Sequence, residues 1–506
     1  MAVSIDETEV KYDAPAGSGL PRLDGIPQVT SVSEPEAEHL EADYYDTEDL
    51  RLIRAGITLR RRAGGHDAGW HLKLPLGAGT RREIQLPPGD DGGPVPAELA
   101  GLVRAHTRSE LLRPVVRMTT DRQRLILLGQ AGESLAEVAA DDVSAQTLGA
   151  TTTLSRWREV EVELTGGGRD VLDAADDLLR AAGLRRSGRA AKLERALRGR
   201  LPNQPQPESL TSRSPAARIV LAYLRTHAER MKSLDPMVRT DEPDAVHQMR
   251  VCTRRLRSTL RSFDSVIEPR STQQVAAELR WLGGVLGEVR DAEVLAGRLQ
   301  AMLAQTPAEL VIGPVQARVQ GHFASVRAGS RTAMLSALDS QRYFSLLDGL
   351  DKLLTEPPLT KQAGRPAADV LPPAAWRTYR RVRKRMRAAQ QARAGRATDV
   401  ALHEARKAAK RARYAGEAIG PALGAEADRF ARQMKKIQTV LGDRQDTVIG
   451  RQVELELGIS AQLAGESAFT YGLLYGRDIA AAERLRVSAR RAWKKMPADR
   501  YRHWMR

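Results

Sequence analysis

His247-Gln248-Met249-Arg250-Val251-Cys252-Thr253-Arg254-Arg255-Leu256-Arg257 recurs further along the chain as His403-Glu404-Ala405-Arg406-Lys407-Ala408-Ala409-Lys410-Arg411-Ala412-Arg413. In register, the histidine, an arginine, a Lys/Arg position and two more arginines coincide. A second pair keeps nearly the same offset: Leu286-Gly287-Glu288-Val289-Arg290-Asp291 and Leu441-Gly442-Asp443-Arg444-Gln445-Asp446, preceded by Arg280 and Lys435. Two distant motifs sharing one spacing identify an internal duplication. On a helix, His247, Arg250, Arg254, Arg257 and Arg261 step by three and four and form one stripe, with Met249, Cys252, Leu256, Leu260 and Phe263 on the other side. In the second copy His403, Arg406, Lys410 and Arg413 form the same stripe, backed by Ala405, Ala408, Ala412 and Ala415. Guanidinium forks match phosphate oxygens in pairs, lysine supplies point charge, and histidine gains charge beside a phosphate. Two such stripes facing each other line a basic channel for a polyanion. A lone basic stripe is ordinarily a solvated face. Duplication, together with the scarcity of carboxylates four residues along that would neutralise such a face, argues for a ligand. The LG-x3-D pieces are read as structural, with the glycine allowing close packing and the aspartate pairing with the stripe.

Around this duplication, residues 215–500 are rich in Ala, Leu, Arg and Glu at helical spacing, with loops marked by Pro236, Pro243, Pro269, Pro357 and Pro372-Pro373. This predicts an all-α domain over 212–500, in two repeats of about 212–355 and 368–500. Leu201-Pro202-Asn203-Gln204-Pro205-Gln206-Pro207-Glu208-Ser209 has almost nothing to bury, so 201–211 reads as a linker. Residues 1–200 carry 27 Lys and Arg against 32 Asp and Glu, while the rest carries 52 against 31, so the excess of positive charge belongs to the second part. That part meets a polyanion. Cys252 is the single cysteine, which excludes an internal disulfide framework and a cysteine-based zinc site. There is no secretory pattern and no run of about 18 apolar residues. The expectation is a soluble, cytoplasmic protein that does not engage membranes.

Before the linker, Trp70–Leu74, Arg82–Leu86, Arg124–Leu128 and Arg158–Leu164 are strand-like and separated by turn residues, with helical spacing near Pro96–Thr107 and Asp170–Ala182. This is an α+β pattern. Period-two alternation puts Glu7, Glu9 and Lys11 on one strand face and Glu159, Glu161 and Glu163 on another. Arg60 and Arg62, His71 and Lys73, and Arg81 and Glu83 pair off likewise. Each alternation alone suits any half-exposed strand. Together they suggest a closed sheet with charge turned inward. Paired carboxylates are hard oxygen ligands for Mg²⁺ or Mn²⁺, and the basic residues around them suit phosphates.

The repeated H-x2-R-x3-[KR]-R-x-R stripe with its LG-x3-D companion resembles the CHAD family, the conserved-histidine α-helical domain. The resemblance implies two pseudo-symmetric four-helix bundles around a basic cavity for inorganic polyphosphate, with His247, Arg250, Arg254, Arg255, Arg257, His403, Arg406, Lys407, Lys410, Arg411, Arg413 and Lys435 as binding residues. Glu7-Thr8-Glu9-Val10-Lys11, followed by Tyr45-Asp46-Thr47, Leu59–Arg62, Trp70–Lys73 and the glutamate strand, resembles the CYTH family of triphosphate tunnel metalloenzymes. It implies an eight-stranded antiparallel barrel over 1–200 in which Glu7, Glu9, Glu161 and Glu163 hold Mg²⁺ or Mn²⁺. Arg60, Arg62, Lys73, Arg81, Arg117 and Lys192 would then hold phosphate, and Glu7, Glu9 and Lys11 carry the catalysis. The strand after Arg117 reads Met118-Thr119-Thr120-Asp121-Arg122, which leaves that wall short of cations. The expected activity is triphosphate or polyphosphate hydrolysis, and the alternative is a non-catalytic protein bound to polyphosphate granules. Nucleic-acid binding is disfavoured, because aromatic residues are few and absent from the stripes.

Overall fold

In the computed structural model the chain divides into two compact units, residues 1–206 and 207–506. Residues 1–2, 16, 78, 90–92, 189–190, 202–208, 394, 497–502 and 506 fall outside the described residues, and with them most of the expected linker.

The first unit is built from β1 (Val3–Ala14), β2 (Ser31–Val32), β3 (Glu36–Asp46), β4 (Thr58–Ala63), β5 (Gly69–Gly77), β6 (Thr80–Leu86), β7 (Arg113–Leu128), β8 (Ser134–Thr147), β9 (Leu154–Leu164) and β10 (Arg185–Arg186). The order β1-β6-β5-β4-β3-β7-β8-β9, with β9 pairing back to β1, closes an eight-stranded antiparallel barrel; β2 and β10 are short additions on β7 and β1. Closure lets every strand satisfy its backbone without an edge. The barrel is charged inside and apolar outside, so its cores lie under the helices. Val160 and Val162, which alternate with Glu161 and Glu163, pack beneath α4 (Arg169–Ala181) through Val171, Leu172, Ala175 and Leu179. Leu59, Trp70, Leu72 and Ile84 pack beneath α2 (Ala97–Leu102) through Leu99 and Leu102. Burying each of these side chains stabilises the barrel by about 1.5–3 kcal/mol. The short helices α1 (Arg51–Arg54) and α3 (Arg104–Thr107) fill the connections. At one end α5 (Lys192–Ala196) acts as a plug, with Leu193 and Ala196 against Met118, Val143 and Ala145.

The second unit is helical: α6 (Ala216–Arg239), α7 (Ala245–Ser262), α8 (Gln273–Ala304), α9 (Val315–Leu338), α10 (Gln341–Thr355), α11 (Ala367–Gln391), α12 (Arg396–Leu423), α13 (Ala425–Leu463) and α14 (Phe469–Lys494). Each copy of the duplication supplies four helices in sequence, α6–α9 and α11–α14, and α10 packs over the first. The copies interlock: α8, α9, α13 and α14 share one apolar cluster that includes Leu299, Phe323, Leu457 and Leu474. The two stripe helices α7 and α12 pack against each other, with alanines 405, 408, 409 and 412 of α12 buried. Pro243, Pro269 and Pro357 do fall between helices. Pro236 and Pro372-Pro373 do not: they lie inside α6 and α11, with Pro236 and Pro372 buried. A proline costs a helix interior about 3 kcal/mol, and packing of the buried faces outweighs that.

Candidate functional site

Antiparallel register sets the inward side chains of the barrel in rows. Glu9 stands opposite Glu163 and Glu163 opposite Glu137, so β1, β9 and β8 present three carboxylates side by side. In the next row Lys11 faces Glu161, and beyond it Glu159 faces Asp141, which faces Arg122. The first two rows, and Arg122 of the third, line a cavity of about 470 Å³. Glu7, Glu9, Lys11, Arg60, Arg62, Lys73, Arg81, Glu161, Glu163 and Lys192 all border it.

Arg117 does not. Its side chain is 62% exposed and paired with Asp43 at 2.8 Å on the outer surface. The reason is a register shift between β3 and β7 at Tyr44/Tyr45, which leaves Val115 and Val116 both buried. The extra residue flips the alternation, so that Met118, Thr120 and Arg122 turn inward. The wall expected to be short of cations therefore has Arg122, a cavity-lining guanidinium 2.8 Å from Asp141 and 3.4 Å from Glu161. Glu83, Glu137, Asp141 and Glu159 are further acidic members of this network that the motif reading did not assign. Period two on β8, where Glu137, Ala139 and Asp141 share a face, is the signal that reveals the first and third.

Two ends of the cavity differ electrostatically. At the α5 end Asp141, Glu159 and Glu161 bring carboxylate oxygens within 4.8 Å of one another. Lys192 Nζ sits 2.9, 2.8 and 2.7 Å from them, and Lys11 pairs with Glu161 and, at 2.9 Å, with Glu9. Burial opposes ionisation of Glu161, but Lys11, Lys192 and Arg122 prevail and hold it well below the carboxylate range. Toward Glu7 the cations run short. Lys73 reaches Glu7 at 2.5 Å and Glu83 at 3.7 Å. Even so, burial first and the neighbouring Glu83 next push Glu7 up to about 8. Glu163 is pushed up to about 7 by burial, with Glu9, Glu161 and Glu137 around it outweighing Lys73. The tight triad already has its cations, so the carboxylates short of positive charge are Glu7 and Glu163. Hard oxygen donors whose burial and acidic neighbours outweigh the one lysine beside them fit a divalent cation.

In the helical unit the stripe residues converge from both copies. Arg250, Arg254, Arg406 and Lys410 face one another, and burial together with those three arginines pushes Lys410 down to about 6. The buried Nε atoms of Arg254 and Arg406 have no hydrogen-bond partner. Arg257 and Arg261 stand near Arg411. Arg250 forms a paired contact with Asp291 at 2.7 and 3.3 Å. A methyl group on Gly287 would meet the guanidinium of Arg250 at 3.0 Å, so that glycine makes room for arginine, while one on Gly442 would meet Arg406 at 3.5 Å, an ordinary contact. Other stripe members have internal partners. Arg255 and Arg413 both pair with Glu417, at 3.0 and 2.6 Å, and Lys407 pairs with Glu404. His403 lies 3.1 Å from Gln445, His247 is half-buried near Arg290, and Lys435 is exposed on α13.

A charged barrel tunnel followed by a duplicated basic helical unit defines a triphosphate tunnel fold joined to a CHAD-type helical domain. The chain belongs to the CYTH–CHAD family: the CYTH domain matches residues 6–197 and the CHAD domain residues 222–453. Two proteins of Mycobacterium tuberculosis strains, the uncharacterized proteins MT2285 and Rv2226, are each 42% identical over 511 residues, covering 97% of this chain and 96% of theirs. Among solved structures, PptA from Streptomyces chartreusis is 21% identical with a TM-score of 0.48, covering 56% of this chain and 100% of its own. The CHAD domain of the plant Ricinus communis is 24% identical with a TM-score of 0.47, over 59% and 98%. On the barrel side, Hippeastrum HpAC1, described as a putative adenylyl cyclase with a dominant triphosphatase activity, is 15% identical with a TM-score of 0.25, over 39% and 98%. CYTH domains are divalent-metal-dependent. Among the described residues no helix is long and apolar enough to cross a membrane.

Proposed function

We propose that this protein is a metal-dependent phosphohydrolase for triphosphate or polyphosphate, whose helical domain binds inorganic polyphosphate. The observation that carries the reading is the pairing, in one cavity, of under-neutralised carboxylates with a ring of cations. Glu7, Glu9, Glu163 and Glu161 would hold Mg²⁺ or Mn²⁺, with Glu7 and Glu163 the members short of positive charge and Glu9 and Glu161 already beside Lys11. Bound there, the metal would neutralise phosphate oxygens and activate water. The chain's own part is positioning. Arg60, Arg62, Lys73, Arg81 and Arg122 surround the cavity and would orient the phosphates and stabilise charge on the transferring group. Lys11 and Lys192 hold Glu161 ionised. In the helical unit, the convergent Arg254, Arg406 and Lys410 would take polyphosphate oxygens as partners. Arg255 and Arg413, already paired to Glu417, would shape the wall.

The test is phosphate release from inorganic triphosphate, ATP and long-chain polyphosphate with Mg²⁺ or Mn²⁺. Metal-dependent release from any of them supports an enzyme. No turnover with retained polyphosphate binding moves the protein to a non-catalytic role at polyphosphate granules, a reading the compensated Asp141–Glu159–Glu161 triad would fit.

A further inference from the structure

Helix α11 carries Arg377, Arg380, Arg381, Arg383, Lys384, Arg385 and Arg387, and no acidic residue follows Asp369 before its end. Arg377, Arg380, Arg381, Lys384 and Arg387 step by three and four along one exposed face. Neighbours four apart on that face carry like charge and repel, where a solvated helix would place a carboxylate. Duplication does not explain this. The corresponding helix of the first copy, α6, interrupts its basic residues with Glu229 and Asp235. Among the described residues, Arg377 pairs with Asp264 at 2.7 Å and Arg385 with Glu404 at 3.9 Å. The aromatic residues are used in packing: Trp376 and Tyr379 stack on each other, and Tyr379 also meets Phe430 and Trp493. The exposed face thus offers charge without rings on which bases stack. It also adjoins the stripes, because Arg381 of α11 stands with Arg257 and Arg261 of α7 near Arg411 of α12.

We propose that the exposed face of α11 is an extension of the polyanion site, a track that holds a long inorganic polyphosphate chain running on from the converging stripe residues of α7 and α12. From Arg377 to Arg387 the track runs about 15 Å at roughly 1.5 Å per residue, so it selects long polymers over triphosphate. The inference rests on polyphosphate binding by the helical domain. It is tested on the full chain by measuring affinity for triphosphate and for long-chain polyphosphate across a salt series, in wild type, in Arg380→Gln/Lys384→Gln/Arg387→Gln and in Arg254→Gln/Lys410→Gln. Glutamine keeps helix propensity, and helicity is checked by circular dichroism. The α11 variant should bind long polymer about tenfold or more weakly, with the salt slope reduced by about 2, and bind triphosphate as wild type does; the Arg254/Lys410 variant should lose most long-polymer affinity while keeping the triphosphate that the tunnel holds. Unchanged long-polymer affinity in the α11 variant, or equal loss for both lengths, overturns the track while leaving binding by the stripes in place. Wild type that binds no long polymer overturns polyphosphate binding by the helical domain and the track together. Loss of single-stranded RNA binding alone would reassign the face to nucleic acid.

Discussion

Lys410→Met should stabilise the protein and weaken its ligand binding at once. Lys410 is largely buried among Arg250, Arg254 and Arg406, and its ammonium is pushed from 10.5 down to about 6. Between these two values the unfolded chain holds a proton that the folded chain does not, so Lys410 makes stability rise with pH across that window and costs most on its acid side. At about 1.4 kcal/mol per pH unit, the span from 10.5 down to pH 7 sets a ceiling of roughly 5 kcal/mol. Residual solvent contact reduces this to about 2 kcal/mol, within the gain seen when buried charges give way to apolar residues. Melting of the helical unit should therefore rise by roughly 4 °C at pH 7, with a flatter pH profile. Phosphate oxygens beside Lys410 would restore its proton, so polyphosphate affinity should fall by about tenfold, the lower end of the worth of a charged hydrogen-bonding partner. Thermal unfolding and polyphosphate titration on the same preparation check both limbs. A variant that melts lower and binds as wild type does would make Lys410 a structural residue and refute the reasoning.

Three further outcomes follow from individual contacts. Arg122→Gln removes one of the two cations beside the fully buried Asp141, leaving Lys192 at 2.9 Å, and should cost about 1.5–3 kcal/mol, whereas Arg117→Gln on the outer surface should stay within about 0.5 kcal/mol; chemical denaturation of the two side by side decides. Glu454 is fully buried with both carboxylate oxygens lacking a hydrogen-bond partner, and burial and then Asp478 push it up to about 8. The folded state keeps a proton that the unfolded chain releases above 4.5, so stability contributed here falls as pH rises from there to about 8; Glu454→Gln should flatten that part of a melting-temperature profile. Gly287→Ala sets a methyl 3.0 Å from Nη2 of Arg250. The arginine tip can move, so melting should barely change while polyphosphate affinity drops several-fold.

Much of this was legible in the sequence, for identifiable reasons. Period two on β1 and β9 placed Glu7, Glu9, Lys11, Glu161 and Glu163 on inward faces because those strands run without a bulge. On β7, where the resemblance named Arg117, one irregular residue turns Arg122 inward instead, and a bulge leaves no mark in a run of Val115-Val116. The stripes on α7 and α12 were readable because helical spacing is local. Which stripe residues stay unpaired was not, since Glu417 reaches Arg255 from the other copy. The proline rule misread Pro236 and Pro372 because tertiary packing overrides a local preference.

The tunnel carboxylates are the decisive residues. Phosphate release from inorganic triphosphate should be followed as Mn²⁺ is titrated, for wild type and for Glu9→Gln/Glu163→Gln, with folding verified by thermal melting. Metal-dependent release in wild type, reduced at least about a hundredfold in the double variant, is the predicted result. Release that persists unchanged in a folded double variant would contradict the account.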